Sequence, residues 1–325
     1  MITAQHGGPD ALGVPRWDFS TNANACGPCP SALTAGQQAD ARHYPDPAYT
    51  ALRETLAAFH AVDAARIVLA GSASEFIGRF TAWVAREGGQ RAWLPALAYG
   101  DYTRAAQVWK FEQVLDPAHA HLAWLCEPSS PLGQAEEVAQ DAVASGAQVV
   151  LDRAYEPLRL SGRCSLEPAA LQQVWQLWTP NKAMGLTGVR GAYAIAPDRA
   201  VAEARALDQL APSWPLGAHA VALLDAWVSP IAQDWLAQSL KTLRDWKREQ
   251  LGLLNHLGWA VLPSDASYLC AAPPSPLDVH ALRTAGIKLR DTTSFGLPGH
   301  WRLGVLPPEA QAALHMTLRE QERVA

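Results

Sequence analysis

Short apolar runs that do not alternate with polar residues recur between residues 65 and 196, and they constrain the fold of this chain more than any other feature. Helix-like stretches such as 73–87 and 135–145 separate them. A strand with one face in solvent alternates apolar and polar side chains, whereas a strand of a parallel sheet is covered on both faces. The pattern therefore predicts an α/β fold with a helix-covered, mostly parallel sheet, whose strands are 66–70, 92–94, 122–126, 148–151 and 174–178.

Polar loops follow these predicted strands. In parallel α/β sheets, ligands bind outside the carboxyl ends of the strands, so we expect the chemistry at this edge. The loops are Gly71-Ser72-Ala73-Ser74, 95–99, 127–133, Asp152-Arg153-Ala154-Tyr155 and Thr179-Pro180-Asn181-Lys182.

The last of these loops places Lys182 between a hydroxyl, at Thr179, and a guanidinium, at Arg190. A lysine amine can form a Schiff base with an aldehyde, and a hydroxyl and a guanidinium can bind a phosphate. An upstream aspartate, here Asp152, can hold a ring nitrogen in its protonated form. Pyridoxal phosphate requires this combination of groups.

After residue 214 the sequence changes character. A long helical pattern over 217–256 is followed by short predicted strands and by a closing helix from about Pro308, because proline is tolerated in a first turn. We predict a large domain over 31–214 and a smaller α+β domain formed by 1–30 and 215–325. The short strands are predicted at 258–262, 267–271, 287–291 and 301–306.

Charge and terminal sequence favour a cytoplasmic protein that acts on small molecules. The net charge is −5 with 18% charged residues and no Lys/Arg cluster, which is unlike a nucleic-acid binder. The N-terminus lacks the basic region and apolar run of a signal peptide, and no apolar stretch reaches the length of a membrane span. We therefore predict neither a nucleic-acid partner nor a membrane partner.

Five cysteines, an odd number, argue against a disulfide framework. Two of them form Cys26-Gly27-Pro28-Cys29, the dithiol motif of thioredoxin-like oxidoreductases, and this leaves a redox protein as an alternative function. That motif works where it follows a buried strand and opens a helix. Here it follows the polar segment 20–24, which favours a turn that happens to carry two cysteines.

The order and spacing of these motifs resemble the aminotransferase class I/II family of pyridoxal-phosphate enzymes, and within it the histidinol-phosphate aminotransferase and threonine-phosphate decarboxylase branch. The resemblance extends from His6 to about Gly304. Residues 179–193 are similar to the family's Ser-x-Ser/Thr-Lys-x-x-Gly-Leu-x-Gly-x-Arg-x-Gly-Tyr, and 152–155 to its Asp-x-Ala-Tyr. The resemblance implies a pyridoxal-phosphate-dependent transferase-like fold, with a mixed, mostly parallel sheet in the large domain.

The resemblance also implies a role for each residue of the cofactor site. Lys182 would hold the cofactor as a Schiff base and move protons at the substrate's α-carbon, while Asp152 would pair with the pyridine nitrogen. Tyr155 would donate to the phenolic oxygen, and Tyr99 would stack on the ring. The groups implied at the phosphate are Thr179, Arg190, the backbone amides of Ser72 and Ala73, and Tyr44 of a neighbouring subunit, which makes the predicted active unit a homodimer.

On the substrate side, Arg302 is similar to the family's arginine that binds the α-carboxylate, and Arg290 would be a second cation. His6 would contact a substrate phosphate. Two positions depart from the family pattern. Ser130 replaces the asparagine that bonds the phenolic oxygen and is too short to span the same gap without water, and Asn181 replaces a second hydroxyl before the lysine.

The first residues of the chain indicate which of the two reactions, decarboxylation or transamination, to expect. His6-Gly7-Gly8 and the segment 18–24 resemble the beginning of threonine-phosphate decarboxylases, enzymes of cobalamin biosynthesis, more than that of histidinol-phosphate aminotransferases. A decarboxylase is therefore the favoured prediction and a transaminase the alternative. A non-catalytic sensor module on this fold would be expected to carry a helix-turn-helix head, which the sequence does not show.

Overall fold

The structure is a computed structural model that describes residues 7–324, with the backbone alone for 322–324. His6 lies outside the described residues. The strands of the described chain are β1 (Trp17–Asp18), β2 (Ile67–Ala70), β3 (Arg91–Trp93), β4 (Glu112–Val114), β5 (Leu122–Cys126), β6 (Gln148–Asp152), β7 (Trp175–Trp178), β8 (Ala192–Ile195), β9 (Ala260–Val261), β10 (Tyr268–Ala272), β11 (Ile287–Lys288), β12 (Arg290–Asp291) and β13 (Trp301–Gly304).

Helices cover these strands and connect them. They are α1 (Pro30–Gln38), α2 (Thr50–His60), α3 (Ala73–Arg86), α4 (Gly100–Val108), α5 (Ala139–Ala144), α6 (Pro168–Leu171), α7 (Val201–Gln209), α8 (Ala218–Trp227), α9 (Pro230–His256), α10 (Val279–Thr284) and α11 (Pro308–Val324). None of the described helices, α9 with its 27 residues included, combines the length and the hydrophobicity that crossing a membrane requires.

A seven-stranded sheet of order β2-β8-β7-β6-β5-β3-β4 forms the centre of the molecule. The strands from β7 to β4 run parallel, whereas β8 is antiparallel to both β2 and β7. In β2, Val68 and Ala70 enter one apolar cluster while Ile67 and Leu69 enter another, so both faces of the strand are buried. The predicted α/β fold with a mixed, mostly parallel sheet is confirmed.

Two strands of this sheet were not predicted. β4 is an edge strand whose Glu112 and Gln113 are exposed, so it carries no apolar run. β8 lies within the lysine motif, where its residues were assigned to the motif and not to a strand. The predicted helical stretch 217–256 forms two helices, α8 and α9. Helix α8 ends at Trp227, and Ser229 caps α9 by accepting from the Ala232 N–H at 3.2 Å, with Pro230 after it.

The C-terminal region forms a four-stranded antiparallel sheet of order β12-β13-β10-β9. Strand β1 pairs in parallel with β11, which brings residues 17–18 next to residues 287–288. In β12 and β13, Arg290 is the register partner of Arg302. The domain limits at residues 31 and 214 stay a prediction.

Candidate active site

A pocket opens at the carboxyl ends of the central strands, where ligands bind in parallel α/β sheets. It collects every residue predicted to bind the cofactor except Tyr44, from loops far apart in sequence. The lining residues are Ser72, Ala73, Ser74, Tyr99, Tyr102, Cys126, Ser130, Asp152, Ala154, Tyr155, Thr179, Asn181, Lys182, Arg190 and Gly191.

Asp152 ends β6 at the floor of this pocket, where it is 4% exposed. The Tyr102 hydroxyl donates to its Oδ2 at 2.7 Å, and the Ala154 N–H donates to Oδ1 at 2.9 Å. Burial raises the pKa of Asp152, and the Tyr102 hydrogen bond and the positive charge of Lys182 oppose that rise. No cationic side chain of residues 7–324 lies within ion-pair distance of this carboxyl. A buried carboxylate is costly without such a partner, so the site suits a ligand with a protonated nitrogen.

Lys182 lies in the loop after β7, half-buried, with Nζ 3.4 Å from the Thr179 hydroxyl and 5.4 Å from the centre of the Tyr155 ring. The N-terminal segment contacts the backbone of this loop: the Asn24 N–H donates to the Lys182 carbonyl at 2.9 Å. Gly185 has φ +66°, and a Cβ there would lie 2.6 Å from the Gly27 carbonyl oxygen. The loop therefore needs glycine to pack against the N-terminal segment and keep the amine in the pocket.

The opposite end of the pocket is suited to an anion. Helix α3, 14 residues long, begins there, and its cap Ser72 accepts from the Glu75 N–H at 3.1 Å. The first amides of a helix have no intrahelical acceptor, and the helix dipole is positive at this end. Thr179, which is buried, and Arg190, which is exposed, also line this pocket.

Tyr99 stands at the pocket wall, where its hydroxyl lies 3.2 Å from Ser74 Oγ. Its ring meets that of Tyr102 edge to face, with centroids 5.7 Å apart. Burial raises the pKa of Tyr99, so the phenol stays neutral and its ring can present a face to a planar ligand.

Arg302 and Arg290 lie beside each other on neighbouring strands of the small sheet. Arg302 is buried; its Nη1 donates to Ser130 Oγ and its Nη2 to the Ser20 carbonyl, each at 3.3 Å, and its Nε has no partner among the described residues. It forms no ion pair within residues 7–324. A buried guanidinium held only by neutral acceptors can take a carboxylate with its planar fork.

The sequence matches the model of the family described as "Aminotransferase class I and II" over residues 16–121 and 111–314. The chain belongs to this family. It is 27% identical to a histidinol-phosphate aminotransferase of Symbiobacterium thermophilum, over 90% of this chain and 86% of that protein. It is 28% identical to an aromatic amino acid aminotransferase of Rhodococcus erythropolis, over 86% and 84% of the two chains.

Solved structures of the family share its fold. The histidinol-phosphate aminotransferase of Sinorhizobium meliloti in complex with pyridoxal-5'-phosphate has a TM-score of 0.76 at 23% identity and covers 94% of this chain and 90% of its own. The L-threonine-O-3-phosphate decarboxylase of Porphyromonas gingivalis has a TM-score of 0.76 at 19% identity and covers 94% and 99%. The predicted family, transferase fold, enzymatic nature and pyridoxal-phosphate cofactor are confirmed.

The pocket fits the cofactor of this aminotransferase family. The buried Asp152 carboxylate suits a pyridinium nitrogen, the start of α3 suits a phosphate, and Lys182 lines the same pocket. The assignment of these residues to these roles stays a prediction.

The two positions that depart from the family pattern have other contacts here. Ser130 lines the pocket, and its hydroxyl accepts from Arg302, so it connects the pocket to strand β13. The Asn181 amide donates to the carbonyls of Thr187 and Val189 at 3.4 and 3.1 Å. It joins two positions of the lysine loop, and its Oδ1 has no hydrogen-bond partner in the part of the chain that the structure describes.

Tyr44 does not reach the pocket of its own chain. It is 78% exposed and stacks on Trp214, with ring centroids 4.4 Å apart.

The burial of the two cysteines argues against the alternative function as a dithiol redox protein. Burial raises the pKa of Cys26 to about 11, and Cys29 is completely buried, whereas a redox-active cysteine needs an exposed thiol of lowered pKa.

Sequence reasoning missed Tyr102, which lines the pocket and bonds Asp152. Tyr102 is fully buried and stacks on Trp124, with centroids 5.0 Å apart and rings 9° from parallel. Its position three residues after Tyr99, on the same face of α4, was the available signal. The Asn22 amide is buried with no partner among the described residues, in the segment between Ser20, which contacts Arg302, and Asn24, which contacts Lys182.

Tyr102→Phe is expected to weaken pyridoxal-phosphate binding by about tenfold to a hundredfold, the effect of losing a hydrogen bond to a charged group. The phenyl ring keeps the stacking on Trp124, but the pKa of Asp152 rises further once the donor is lost. Fluorescence titration of the apoprotein with the cofactor measures the change. Tyr193→Phe, which changes another fully buried tyrosine outside the pocket, is the control. Equal affinities for Tyr102→Phe and wild type would contradict this role.

Proposed function

We propose that this enzyme decarboxylates a small α-amino acid that carries a second anionic group such as a phosphate. The arginine pair is the observation that supports this best. Arg302 and Arg290 are cross-strand neighbours, and Arg302 is buried next to the cofactor pocket through Ser130. Two adjacent guanidinium groups suit a substrate with two anions, the α-carboxylate at Arg302 and the second anion towards Arg290.

The N-terminal segment supports the decarboxylase interpretation. The Gly8 N–H donates to Ser20 Oγ at 2.9 Å, and Lys288 Nζ donates to the Gly8 carbonyl at 2.6 Å. A Cβ on Gly7 would collide with the Ser20 carbonyl, the same group that accepts from Arg302. The glycine pair thus packs onto the substrate side of the site, next in sequence to His6. The contact of His6 with a substrate phosphate is part of the proposal.

Pyridoxal phosphate, when bound, supplies an electron sink for the electron pair left at the substrate's α-carbon. In decarboxylation the bond from the α-carbon to the carboxylate breaks, carbon dioxide leaves, and a proton takes its place. In transamination the α-hydrogen leaves as a proton instead. We assign the proton transfer to the Lys182 amine and the orientation of the carboxylate to Arg302.

Transamination of a histidinol-phosphate-like amine is the second candidate. It is favoured by the similar proteins, which include histidinol-phosphate aminotransferases of Symbiobacterium thermophilum and Rhizobium meliloti.

We further propose that the enzyme is a homodimer in the cytoplasm. The exposed Tyr44 ring supports the dimer, because it is free to enter a neighbouring site.

The reaction is tested with O-phospho-L-threonine, L-histidinol phosphate and plain L-threonine, while carbon dioxide and carbonyl products are assayed with and without 2-oxoglutarate. We expect carbon dioxide and an amine from O-phospho-L-threonine without 2-oxoglutarate, and far slower turnover of L-threonine. Product formation that requires 2-oxoglutarate would select the transaminase. Turnover of L-threonine as fast as that of its phosphate ester would overturn the proposed second anion.

A further inference from the structure

We propose that Phe295 is a positioning residue that holds Arg290 and Arg302 at a fixed spacing and thereby selects substrates with two anionic groups. This inference rests on the proposed function. The Phe295 ring is shared by both arginines: the Arg290 Cζ lies 4.9 Å from its centroid and the Arg302 Cζ 5.3 Å. Both distances fall within the range of cation–π attraction.

The positive charges of Arg290 and Arg302 repel each other, and the Phe295 ring can offset this repulsion. Arg290 and Arg302 are register partners on antiparallel strands, and like charges directly opposite each other destabilise a sheet. Burial and the neighbouring charge of Arg302 lower the pKa of Arg290, while Asp291 opposes this. An aromatic ring offers its negative face to a cation, so one ring near both guanidinium groups attracts each of them and offsets their repulsion.

The backbone around Phe295 keeps the ring in place. Phe295 ends the short turn Thr293–Phe295, its N–H donates to the Thr292 carbonyl at 2.9 Å, and Gly296 follows with φ +87°. The Thr292 hydroxyl bonds the carbonyls of Leu297 and His300 at 2.6 and 2.8 Å.

The turn 293–295 and the glycine after it lie close to the loop before Tyr99 and to Arg290. A Cβ at Gly296 would lie 3.4 Å from Leu97 Cδ2, in the loop that leads to Tyr99. Arg290 Nη2 donates to Ser294 Oγ at 2.8 Å, within the turn itself. The position of the ring is therefore tied to the cofactor loop on one side and to the substrate arginines on the other.

A leucine at this position stays apolar but lacks the aromatic face. We expect Phe295→Leu to let the arginines separate, which weakens binding of a ligand that needs both of them. A ligand with one carboxylate depends on Arg302, which keeps its contacts with Ser130 and Ser20. Its binding should change much less. Phe295→Tyr keeps the ring and should rescue the loss.

The test uses calorimetric binding of 3-phospho-D-glycerate and D-glycerate to the holoenzyme, two acids that differ by one phosphate and carry no amine to react. In Phe295→Leu we expect the dissociation constant of 3-phospho-D-glycerate to rise about tenfold and that of D-glycerate less than about threefold. Phe111→Leu is the matched control, because Phe111 is 8% exposed against 9% for Phe295 and has no cation–π contact in the described part of the chain.

The outcomes separate the two proposals. If the wild type prefers 3-phospho-D-glycerate and Phe295→Leu keeps that preference, the inference is wrong while the proposed substrate class stands. If Phe295→Leu weakens both ligands equally with the fall in melting temperature that Phe111→Leu shows, the ring is only structural and the inference is again wrong. If the wild type does not discriminate between the two acids, both the substrate class and the inference fail.

Discussion

Lys182→Ala is expected to abolish covalent attachment of pyridoxal phosphate and to reduce turnover by at least about a thousandfold, through loss of both the Schiff-base amine and the acid/base group. Lys182 is the lysine among the residues that line the pocket. Its loop is fixed by the Asn24 and Gly185 contacts, so another amine cannot take its place without refolding the loop.

The change is measured by the visible absorbance of the lysine-bound cofactor and by peptide mass analysis after borohydride reduction, which should locate the cofactor on Lys182 in the wild type. Lys241→Ala is the control, since that exposed lysine bonds only Gln238 among the described residues. A variant without Lys182 that keeps the absorbance band and the mass label would place the cofactor on a different lysine.

The strands, and the placement of Asp152 and Lys182 in one pocket, could be predicted because their signals are local. Strand β5 is a continuous apolar run, Asp152 directly follows the apolar run 149–151, and Lys182 lies in the loop that follows β7. A residue at the carboxyl end of a buried parallel strand reaches the ligand edge of the sheet in any fold of this type. Sequence alone therefore predicts which of these groups meet.

The remaining contacts of the site join residues that are distant in sequence, and no local pattern reports them. Ser130 and Arg302 are 172 positions apart, and Tyr102 meets Asp152 across 50. The sequence suggested that Ser130 would leave a gap at the cofactor, but its contact with Arg302 depends on how the small sheet packs against the large one. Similarly, the contact of the Phe295 ring with both arginines depends on the position of the turn 293–295. That turn is bounded by the Thr292 hydrogen bonds and lies close to Leu97.

Asp152→Asn is expected to reduce turnover by about 10² to 10⁴-fold while leaving the apoprotein at least as stable as the wild type. Removing one member of a buried ion pair costs about 3–5 kcal/mol, and each 1.36 kcal/mol at the transition state is tenfold in rate. An asparagine side chain has nearly the same shape: its Oδ1 can still accept from the Ala154 N–H, and its Nδ2 can donate to the Tyr102 hydroxyl oxygen. It cannot hold the ring nitrogen protonated.

The stability of the apoprotein distinguishes this role from a structural one. Burial raises the pKa of Asp152, so the folded state binds its proton more tightly than the unfolded state does. Ionisation above the unfolded pKa therefore destabilises the wild-type apoprotein, and asparagine removes that penalty. The melting-temperature advantage of Asp152→Asn should be greatest at neutral pH and should vanish in acid, where the carboxyl is neutral in both states. Asp208→Asn, which removes a carboxylate paired with Arg53 outside the pocket, should keep full turnover. An Asp152→Asn variant that melts lower than the wild type at neutral pH and retains turnover would show that the carboxylate supports the fold and not the cofactor.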